Sequence, residues 1–217
     1  QHGTAVVVLA TLINAIKVVK KDKDVKIMIN GAGAAGTAIC DLLLEYGFKN
    51  IVIGDSLGAI SKNRKGLDNE KIRLVKITNK NNEEGNIHQI IKNKDVFIGV
   101  SKGNLLTTKD IKNMAKKAII FAMANPTPEI MPDIAKAAGA LIVATGRSDY
   151  DNQINNVLAF PGIFRGALDN KIKRITNKML MQAAINLAKL VKKPTAEKII
   201  PNPFEKGILK AVSSAIK

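Results

Sequence analysis

The fold class of this chain follows from one glycine-rich segment, Val25-Lys26-Ile27-Met28-Ile29-Asn30-Gly31-Ala32-Gly33-Ala34-Ala35-Gly36. It starts with a short and nearly continuous apolar run from Val25 to Ile29, which is typical of a strand buried in a parallel sheet. A G-x-G-x-x-G turn follows directly, and a helical pattern then runs to about Tyr46 and ends at Gly47. The order of strand, glycine-rich turn and helix predicts the first unit of an α/β fold that binds a dinucleotide.

Each glycine of the turn has its own physical task in such a site. Gly31 allows the tight turn, Gly33 lets the backbone approach a pyrophosphate, and Gly36 lets the helix pack closely on the strand. The helix opens at Ala34 and Ala35, where free N–H groups and the positive end of the helix dipole favour a bound phosphate. A glycine-rich turn in another kind of α/β protein is the alternative, but here the strand, the helix and a following acidic residue are all present.

The acidic residue is Asp55, which follows the next predicted strand, Asn50 to Ile53. Its carboxylate would accept hydrogen bonds from the hydroxyls of the adenosine ribose. The same charge repels a 2′-phosphate, so Asp55 favours NAD over NADP. Three cationic residues lie close behind it and could still reach such a phosphate, which keeps NADP open as a cofactor: Lys62, Arg64 and Lys65.

Strands and helices alternate along the first two thirds of the chain. Short apolar runs predict three further strands, at Asp95 to Val100, Ala118 to Ala124 and Ala140 to Ala144. This alternation predicts an α/β fold with a Rossmann-type, mostly parallel sheet and helices on both faces. The helical patterns are Thr4 to Val19 with Thr4 as N-cap, Asp68 to Ile77 (which also fits a strand), Ile87 to Ile91, Thr107 to Ala115 with Thr107 or Thr108 as cap, and Pro132 to Ala138.

The end of the chain shows only helical patterns. Helices are predicted at Val157 to Leu168, Ile172 to Val191 and Phe204 to Ile216, and they form a C-terminal helical extension. We therefore expect one NAD(P)-binding domain over residues 1–217. Its Rossmann core would occupy about residues 20–150, and its C-terminal helices about residues 156–217.

The composition excludes several other classes of protein. Of 217 residues, 46% are hydrophobic, which is too many for a disordered chain, and a single cysteine excludes a disulfide scaffold or a cysteine-rich zinc module. The longest apolar run, Ala5 to Ile13, is far shorter than the roughly 20 residues of a membrane span. The 34 lysines and arginines against 18 acidic residues give a net charge of +16. The lysines are scattered, without the clustered basic stripe of nucleic-acid binders, so we expect neither a nucleic acid nor a membrane as partner.

Polar residues mark the carboxyl ends of the predicted strands, where ligands of open α/β sheets bind. Each of them alone could be a turn or a helix cap. Together they predict a site along one edge of the sheet, in which Ser101 is expected to contact the cofactor. These ends are Asp55, Ser101-Lys102, Asn125-Pro126-Thr127-Pro128-Glu129 and Thr145-Gly146-Arg147-Ser148-Asp149.

A group of amide side chains, Asn152-Gln153-Ile154-Asn155-Asn156, precedes the last helical region. Amides can hold a carboxylate or a carbonyl while staying neutral. Asn155 or Asn156 could equally act as a helix N-cap. The residues alone leave both interpretations open.

Other reactive side chains give weaker signals. His2 and His88 have no visible partner in the sequence, and Cys40 lies within a helix on its apolar face, as a buried small hydrophobe does. Arg147 and Arg165 could each bind an anionic substrate or form an ordinary ion pair. The sequence contains no zinc-protease motif, nucleophile elbow, P-loop or metal-ligand cluster.

Taken together, six blocks of this sequence resemble malic enzymes, most closely those of the shorter bacterial type. The resemblance runs from residue 1 to the C-terminus. The asparagine block and the Gly-Arg-Ser-Asp block are specific to that family, whereas the glycine turn is shared with many others. The blocks are Gln1 to Ala5, Gly31 to Gly36, Asp95 to Ser101, Phe121 to Pro126, Ala144 to Asp149 and Asn152 to Gly162.

This resemblance implies oxidative decarboxylation of L-malate to pyruvate and CO2, with NAD or NADP and with Mg2+ or Mn2+. It implies that the turn from Gly31 to Gly36 holds the pyrophosphate and that Asp55 meets the ribose. Asn125 would lie by the nicotinamide and malate, Asn156 would contact malate, and Thr4 would lie near the cofactor.

One part of the family pattern is absent from this chain. The family's general acid and base, a tyrosine and a lysine, and its metal ligands lie in an N-terminal domain that would precede Gln1. We therefore expect no catalytic residue and no metal ligand in this chain, which alone should bind dinucleotide without turnover. The expected partners are that missing domain, L-malate and pyruvate, and a second copy in a cytoplasmic homodimer. The alternatives are a dinucleotide-binding module that never catalyses and, on net charge alone, a nucleic-acid-binding protein.

Overall fold

The strand order places the glycine-rich turn at the centre of a six-stranded sheet. The structure is a computed structural model that describes residues 1–217. In chain order the strands are β1 (Lys26–Asn30), β2 (Asn50–Asp55), β3 (Gly58–Ala59), β4 (Val96–Gly99), β5 (Ile119–Ala122) and β6 (Ile142–Thr145). They lie in the order β3-β2-β1-β4-β5-β6, and every neighbouring pair is parallel except β2 and β3. The predicted mostly parallel sheet is confirmed.

Strand β3 lies in a segment whose sequence predicts only a polar connection. Two residues are too few to show the alternation by which a strand is found in a sequence. The strand pairs antiparallel with the end of β2, so that Asp55 lies opposite Gly58. It therefore turns the chain back beside the predicted ribose-binding carboxylate.

Nine α-helices surround the sheet. A hydrophobic cluster fills each face of the sheet, and the helices contribute to both, which confirms the predicted layers. The helices are α1 (His2–Val19), α2 (Ala34–Tyr46), α3 (Asn69–Ile77), α4 (Ile87–Ile90), α5 (Thr108–Lys112), α6 (Pro132–Ala137), α7 (Phe160–Asp169), α8 (Asn177–Ala188) and α9 (Ile208–Ser213).

Local signals explain several of the helix ends. Gly47 ends α2 in a left-handed conformation with φ of +110°, which glycine adopts without steric cost. Thr107 caps α5, because its side chain accepts a hydrogen bond from the N–H of Asp110. Thr4 was expected to cap α1, and this is wrong: α1 begins at His2, and Thr4 lies within its first turn.

Helix α1 is the central helix of the larger hydrophobic cluster. By length and composition it could cross a membrane, but 78% of its residues are buried inside the protein, as in a core helix. Asn14 lies fully buried on it, and its side-chain amide donates to the carbonyls of Ala188 (2.9 Å) and Ile199 (3.0 Å). These bonds join the C-terminal extension to the domain core.

The C-terminal helices are shorter than the sequence pattern predicts. Helix α8 starts only after Thr176, whose hydroxyl caps it by accepting from the N–H of Met179, so residues 172–175 are not helical. Helix α9 starts after Gly207, whose φ of +94° interrupts the helix predicted from Phe204. A single 3-10 turn, Asn156–Leu158, precedes α7. Before α8, Ile172 and Ile175 continue the apolar pattern because they pack on the larger hydrophobic cluster. Before α9, Phe204 is almost fully exposed, so its place in the apolar pattern reflects no packing.

Candidate dinucleotide and substrate site

Two of the three glycines in the turn are required by the protein itself. Gly31 has a φ of +123°, and a Cβ there would lie 2.7 Å from the carbonyl oxygen of Val100. A Cβ at Gly36 would lie only 1.7 Å from the carbonyl oxygen of Gly31. Helix α2 can therefore start this close to β1 only with glycine at both positions.

Gly33 is a different case. No atom of the protein lies within 4 Å of the place where its Cβ would be. It precedes α2, whose first turn has neither a side-chain cap nor an acidic residue, so the N–H groups around Ala34 and Ala35 remain available. The space in front of Gly33 and the dipole of α2 suit a pyrophosphate, as the sequence predicts.

A pocket of about 350 Å3 lies at the carboxyl ends of β4, β5 and β6. Five of the predicted site residues line it, although they come from five separate segments of the chain: Thr4, Ala35, Ser101, Asn125 and Asn156. The structure thus brings these five residues to one place, next to the first turn of α2.

The asparagines of this pocket divide into two roles. Asn155 caps the 3-10 turn, because its side-chain oxygen accepts from the N–H of Val157 at 3.0 Å. Asn125 and Asn156 are exposed, line the pocket and make no side-chain hydrogen bond within the protein. Of the two roles that the sequence left open, the structure shows the capping role, which belongs to Asn155, whereas the Asn156 side chain has no partner within the protein.

Asp55 lies outside this pocket, at the end of β2, and two cations hold it. Its carboxylate lies 2.8 Å from the guanidinium of Arg64 and 3.0 Å from the ammonium of Lys71, and it accepts from the N–H of Leu57. Burial alone would raise the pKa of Asp55, but the hydrogen bonds from these three groups lower it to about 2. Asp55 is therefore ionised at neutral pH.

The cations that contact Asp55 differ from those that the sequence placed within reach of a 2′-phosphate. Arg64 was among the candidates, whereas Lys62 and Lys65 form no salt bridge. Lys71 was missed because it lies on α3, and only the packing of α3 beside β2 brings it to the carboxylate.

The remaining candidates have ordinary structural partners. Arg147 pairs with Asp149 at 2.6 Å and Arg165 pairs with Asp169, so both arginines form ion pairs. Cys40 is buried as expected, and burial raises the pKa of its thiol to about 12. The expectation that His88 lacks a partner is wrong, because its Nδ1 lies 3.0 Å from the carboxylate of Asp110, which follows 22 residues later.

This chain contains no set of ligands for the Mg2+ or Mn2+ that the family resemblance implies. No group of three or more His, Cys, Asp or Glu side chains lies close enough together to hold a metal ion. The residues of this chain therefore do not fit a complete Mg2+ or Mn2+ site.

The family model described as malic enzyme, NAD binding domain, matches residues 1–216. This chain belongs to the malic enzyme family. The bifunctional malic/malolactic enzyme of Bacillus subtilis (strain 168) is 49% identical to it over 220 residues, which cover all of this chain and 54% of that protein. The NADP-dependent malic enzyme of Halomonas elongata is 38% identical over 236 residues, which cover all of this chain and 55% of that protein.

Solved malic enzyme structures share this fold over the whole chain. The NAD-dependent malic enzyme of Thermotoga maritima superposes with a TM-score of 0.96 at 44% identity, covering 100% of this chain and 58% of that one. The malic enzyme of Pyrococcus horikoshii gives 0.95 at 42% identity, covering 100% and 52%. The chain thus spans about half the length of the curated relatives it matches. Both NAD- and NADP-dependent enzymes are among the malic enzyme relatives.

Proposed function

We propose that this chain is the dinucleotide-binding half of an enzyme that converts L-malate oxidatively to pyruvate and CO2. The observation that carries the proposal is the pocket at the strand ends. It joins Ala35, on the phosphate-binding turn, to the unpaired amides of Asn125 and Asn156. A dinucleotide bound at the turn would extend its nicotinamide into this pocket, where the two amides could hold a small dicarboxylate.

The chain's own residues bind and orient both ligands. Gly31 to Gly36 and the N-terminus of α2 would hold the pyrophosphate, and Asp55 would accept from the ribose hydroxyls. Bound NAD(P) supplies the hydride acceptor. Asn125 and Asn156 each offer an N–H2 donor and a carbonyl acceptor, so they can bind a carboxylate and a hydroxyl without gaining or losing a proton.

We propose NAD as the preferred cofactor, with NADP accepted. The ionised carboxylate of Asp55 favours a ribose with two free hydroxyls over one that carries a 2′-phosphate. Arg64 and Lys71 already neutralise part of that charge. They would lower the repulsion of a 2′-phosphate, so discrimination between the two cofactors should be modest.

The rest of the reaction would depend on protein outside this chain. Proton transfer and the divalent cation, Mg2+ or Mn2+, would be supplied by an N-terminal domain of the full-length protein, since this chain covers only 54% and 58% of two malic enzyme relatives. We further propose a homodimer in the cytoplasm, with malate and pyruvate as its small-molecule partners and with neither nucleic acid nor membrane among them.

The decisive experiment is an assay on the full-length protein. We expect malate-dependent formation of reduced nicotinamide with NAD and Mn2+, and none without malate or with this chain alone. Asn156→Ala should raise the KM for malate about tenfold or more, because it removes a direct contact. Asn170→Ala is the matched control, since it removes an exposed asparagine that does not line the pocket. A full-length protein that binds NAD but does not oxidise malate would support a non-catalytic module instead.

A further inference from the structure

A fully buried carboxylate is bonded to the backbone of the proposed malate and nicotinamide pocket. Glu129 has no exposed surface, although its position after β5 predicted only a polar residue near the site. One carboxylate oxygen accepts from the N–H of Ser101 at 3.2 Å, and the other accepts from the N–H of Ala124 at 3.0 Å. Both donors line the pocket, and Ala124 directly precedes Asn125.

We propose that Glu129 is a positioning residue that fixes the distance between the two loops that form this pocket. One loop follows β4 and carries Ser101, and the other follows β5 and carries Asn125. The proposal rests on the proposed function, since it assigns Asn125 to a ligand. It adds a residue that touches neither cofactor nor substrate and acts through the backbone of those that do.

The bonds made by the backbone of this segment hold the same two loops together. The carbonyl of Glu129 accepts from the N–H of Leu106, and the carbonyl of Pro128 accepts from the N–H of Asn104, both at 2.9 Å. The Ser101 hydroxyl also accepts from the side chain of Asn30 at 2.7 Å, which ties this loop to the end of β1. The ends of β1, β4 and β5 are thereby held in one network.

The surrounding glycines show that the site of Glu129 is built for close approach. A Cβ at Gly99 would lie 2.3 Å from the Glu129 carboxyl group, and a Cβ at Gly103 would lie 2.4 Å from the carbonyl oxygen of Thr127. Neither glycine has a positive φ, so backbone conformation does not require glycine there. Lack of space requires it, because the Glu129 carboxylate and the backbone of Thr127 occupy the places where side chains at these two positions would lie.

Joining two loops through a buried carboxylate costs free energy. Burial raises the pKa of Glu129, and only backbone N–H groups, those of Ala124 and Ser101 among them, act in the opposite direction. A buried carboxylate without a cation costs free energy that an apolar side chain would not. What the carboxylate offers is two acceptor atoms at a fixed separation, and an amide or an apolar side chain cannot replace both.

A purely structural role for Glu129 predicts a different result, and a second glutamate, which binds a buried lysine, provides the comparison. The carboxylate of Glu83 binds the buried ammonium of Lys94 at 2.6 and 2.7 Å. Lys94 lies two residues before β4, so this contact lies at the end of the sheet opposite the pocket. Glu83→Gln should lower the thermal midpoint of unfolding without changing the pocket. Glu129→Gln keeps the size of the side chain but leaves one loop N–H facing an amide N–H2.

The test measures KM and kcat of the full-length protein for wild type, Glu129→Gln and Glu83→Gln. For Glu129→Gln we expect the KM for malate to rise about tenfold and kcat to fall, because small displacements of binding groups cost large factors in rate. The KM for NAD should rise less than the KM for malate, since the phosphate and ribose contacts lie on β1, α2 and β2 and only the nicotinamide enters this pocket. A malate KM equal to that of wild type would overturn the proposal, because partial unfolding lowers kcat without raising KM.

Two further measurements keep the outcome decisive. If Glu129→Gln does not fold, Glu129→Asp retains the charge but is one methylene too short to reach both loops, and the same rise in malate KM is expected. Hydrogen exchange at the amides of Ser101 and Ala124 should accelerate in either variant and not in Glu83→Gln. If wild type oxidises no malate, the proposed function fails; unchanged exchange at these two amides would refute the bridging role of Glu129 by itself.

Discussion

Gly33 and Gly36 lie three residues apart in one turn, but a side chain would meet opposite conditions at the two positions. At Gly33 it would point into open space, whereas at Gly36 it would collide with the backbone of Gly31. Gly33→Val should therefore fold normally and lose about a hundredfold or more in NAD affinity, because the new side chain occupies the place of the pyrophosphate. Calorimetric titration with NAD and a thermal melt together test this prediction.

Gly36→Ala provides the contrasting variant. Its Cβ cannot be accommodated without moving α2 away from β1, so its free energy of unfolding should fall by about 3 kcal/mol or more. If Gly33→Val kept full NAD affinity, the cofactor would not pass over this turn. If Gly36→Ala were as stable as wild type, the close packing of turn and helix would not limit stability.

We predict that Asp55 sets cofactor preference through its two cations as well as its own charge. In Asp55→Ser, Arg64 and Lys71 lose their shared carboxylate and become free to bind a 2′-phosphate. We expect the ratio of kcat/KM for NADP to that for NAD to rise about tenfold or more in the full-length protein. Asp169→Ser removes another carboxylate paired with an arginine, on α7, and should leave the ratio unchanged. An equal shift in both variants would mean that net charge, and not this site, is responsible.

Among the elements, those marked by local signals were predictable from the sequence and those made by packing were not. The glycine turn, the apolar strands and the cap of Thr107 each leave a pattern within a few residues, and all lie where the sequence placed them. Strand β3 exists only because Gly58 can pair with the end of β2. The Lys71 contact with Asp55 requires α3 to be docked beside that strand. Such long-range contacts have no signature in one sequence, which is why the sequence placed Glu129 among the polar residues at the strand ends but did not predict its bonds to the backbone of Ser101 and Ala124.

The joint between α1 and the C-terminal extension is the element contact most open to a direct test. The buried amide of Asn14 satisfies the carbonyls of Ala188 and Ile199, at the end of α8 and beyond it. Asn14→Leu should lower the free energy of unfolding by about 3 kcal/mol, because both carbonyls stay buried without a donor. Asn170 donates to two carbonyls in the same manner, those of Gly166 and Ile216, but is itself exposed.

Denaturant unfolding of Asn14→Leu and Asn170→Leu separates burial from hydrogen-bond number. Water can replace the lost donor at the exposed site, so Asn170→Leu should cost less than about 1 kcal/mol. Equal losses in the two variants would contradict the argument that burial makes the Asn14 bonds important.

The net charge of +16 would favour a nucleic acid as ligand, whereas the dinucleotide site would favour NAD. The rise in Tm on adding each ligand distinguishes the two. A ligand that binds only the folded state raises its stability by about 2.7 kcal/mol at a hundred times its Kd, which in a chain of this size corresponds to roughly 5 °C or more in Tm. NAD at that excess should produce such a rise in wild type, and a stabilisation of at most about 0.4 kcal/mol in Gly33→Val. Short duplex DNA at low salt should produce no rise in either protein, because the lysines are scattered along the sequence and form no basic motif. A salt-sensitive rise with DNA that persists in Gly33→Val would show that the charge, and not the turn, binds the physiological anion.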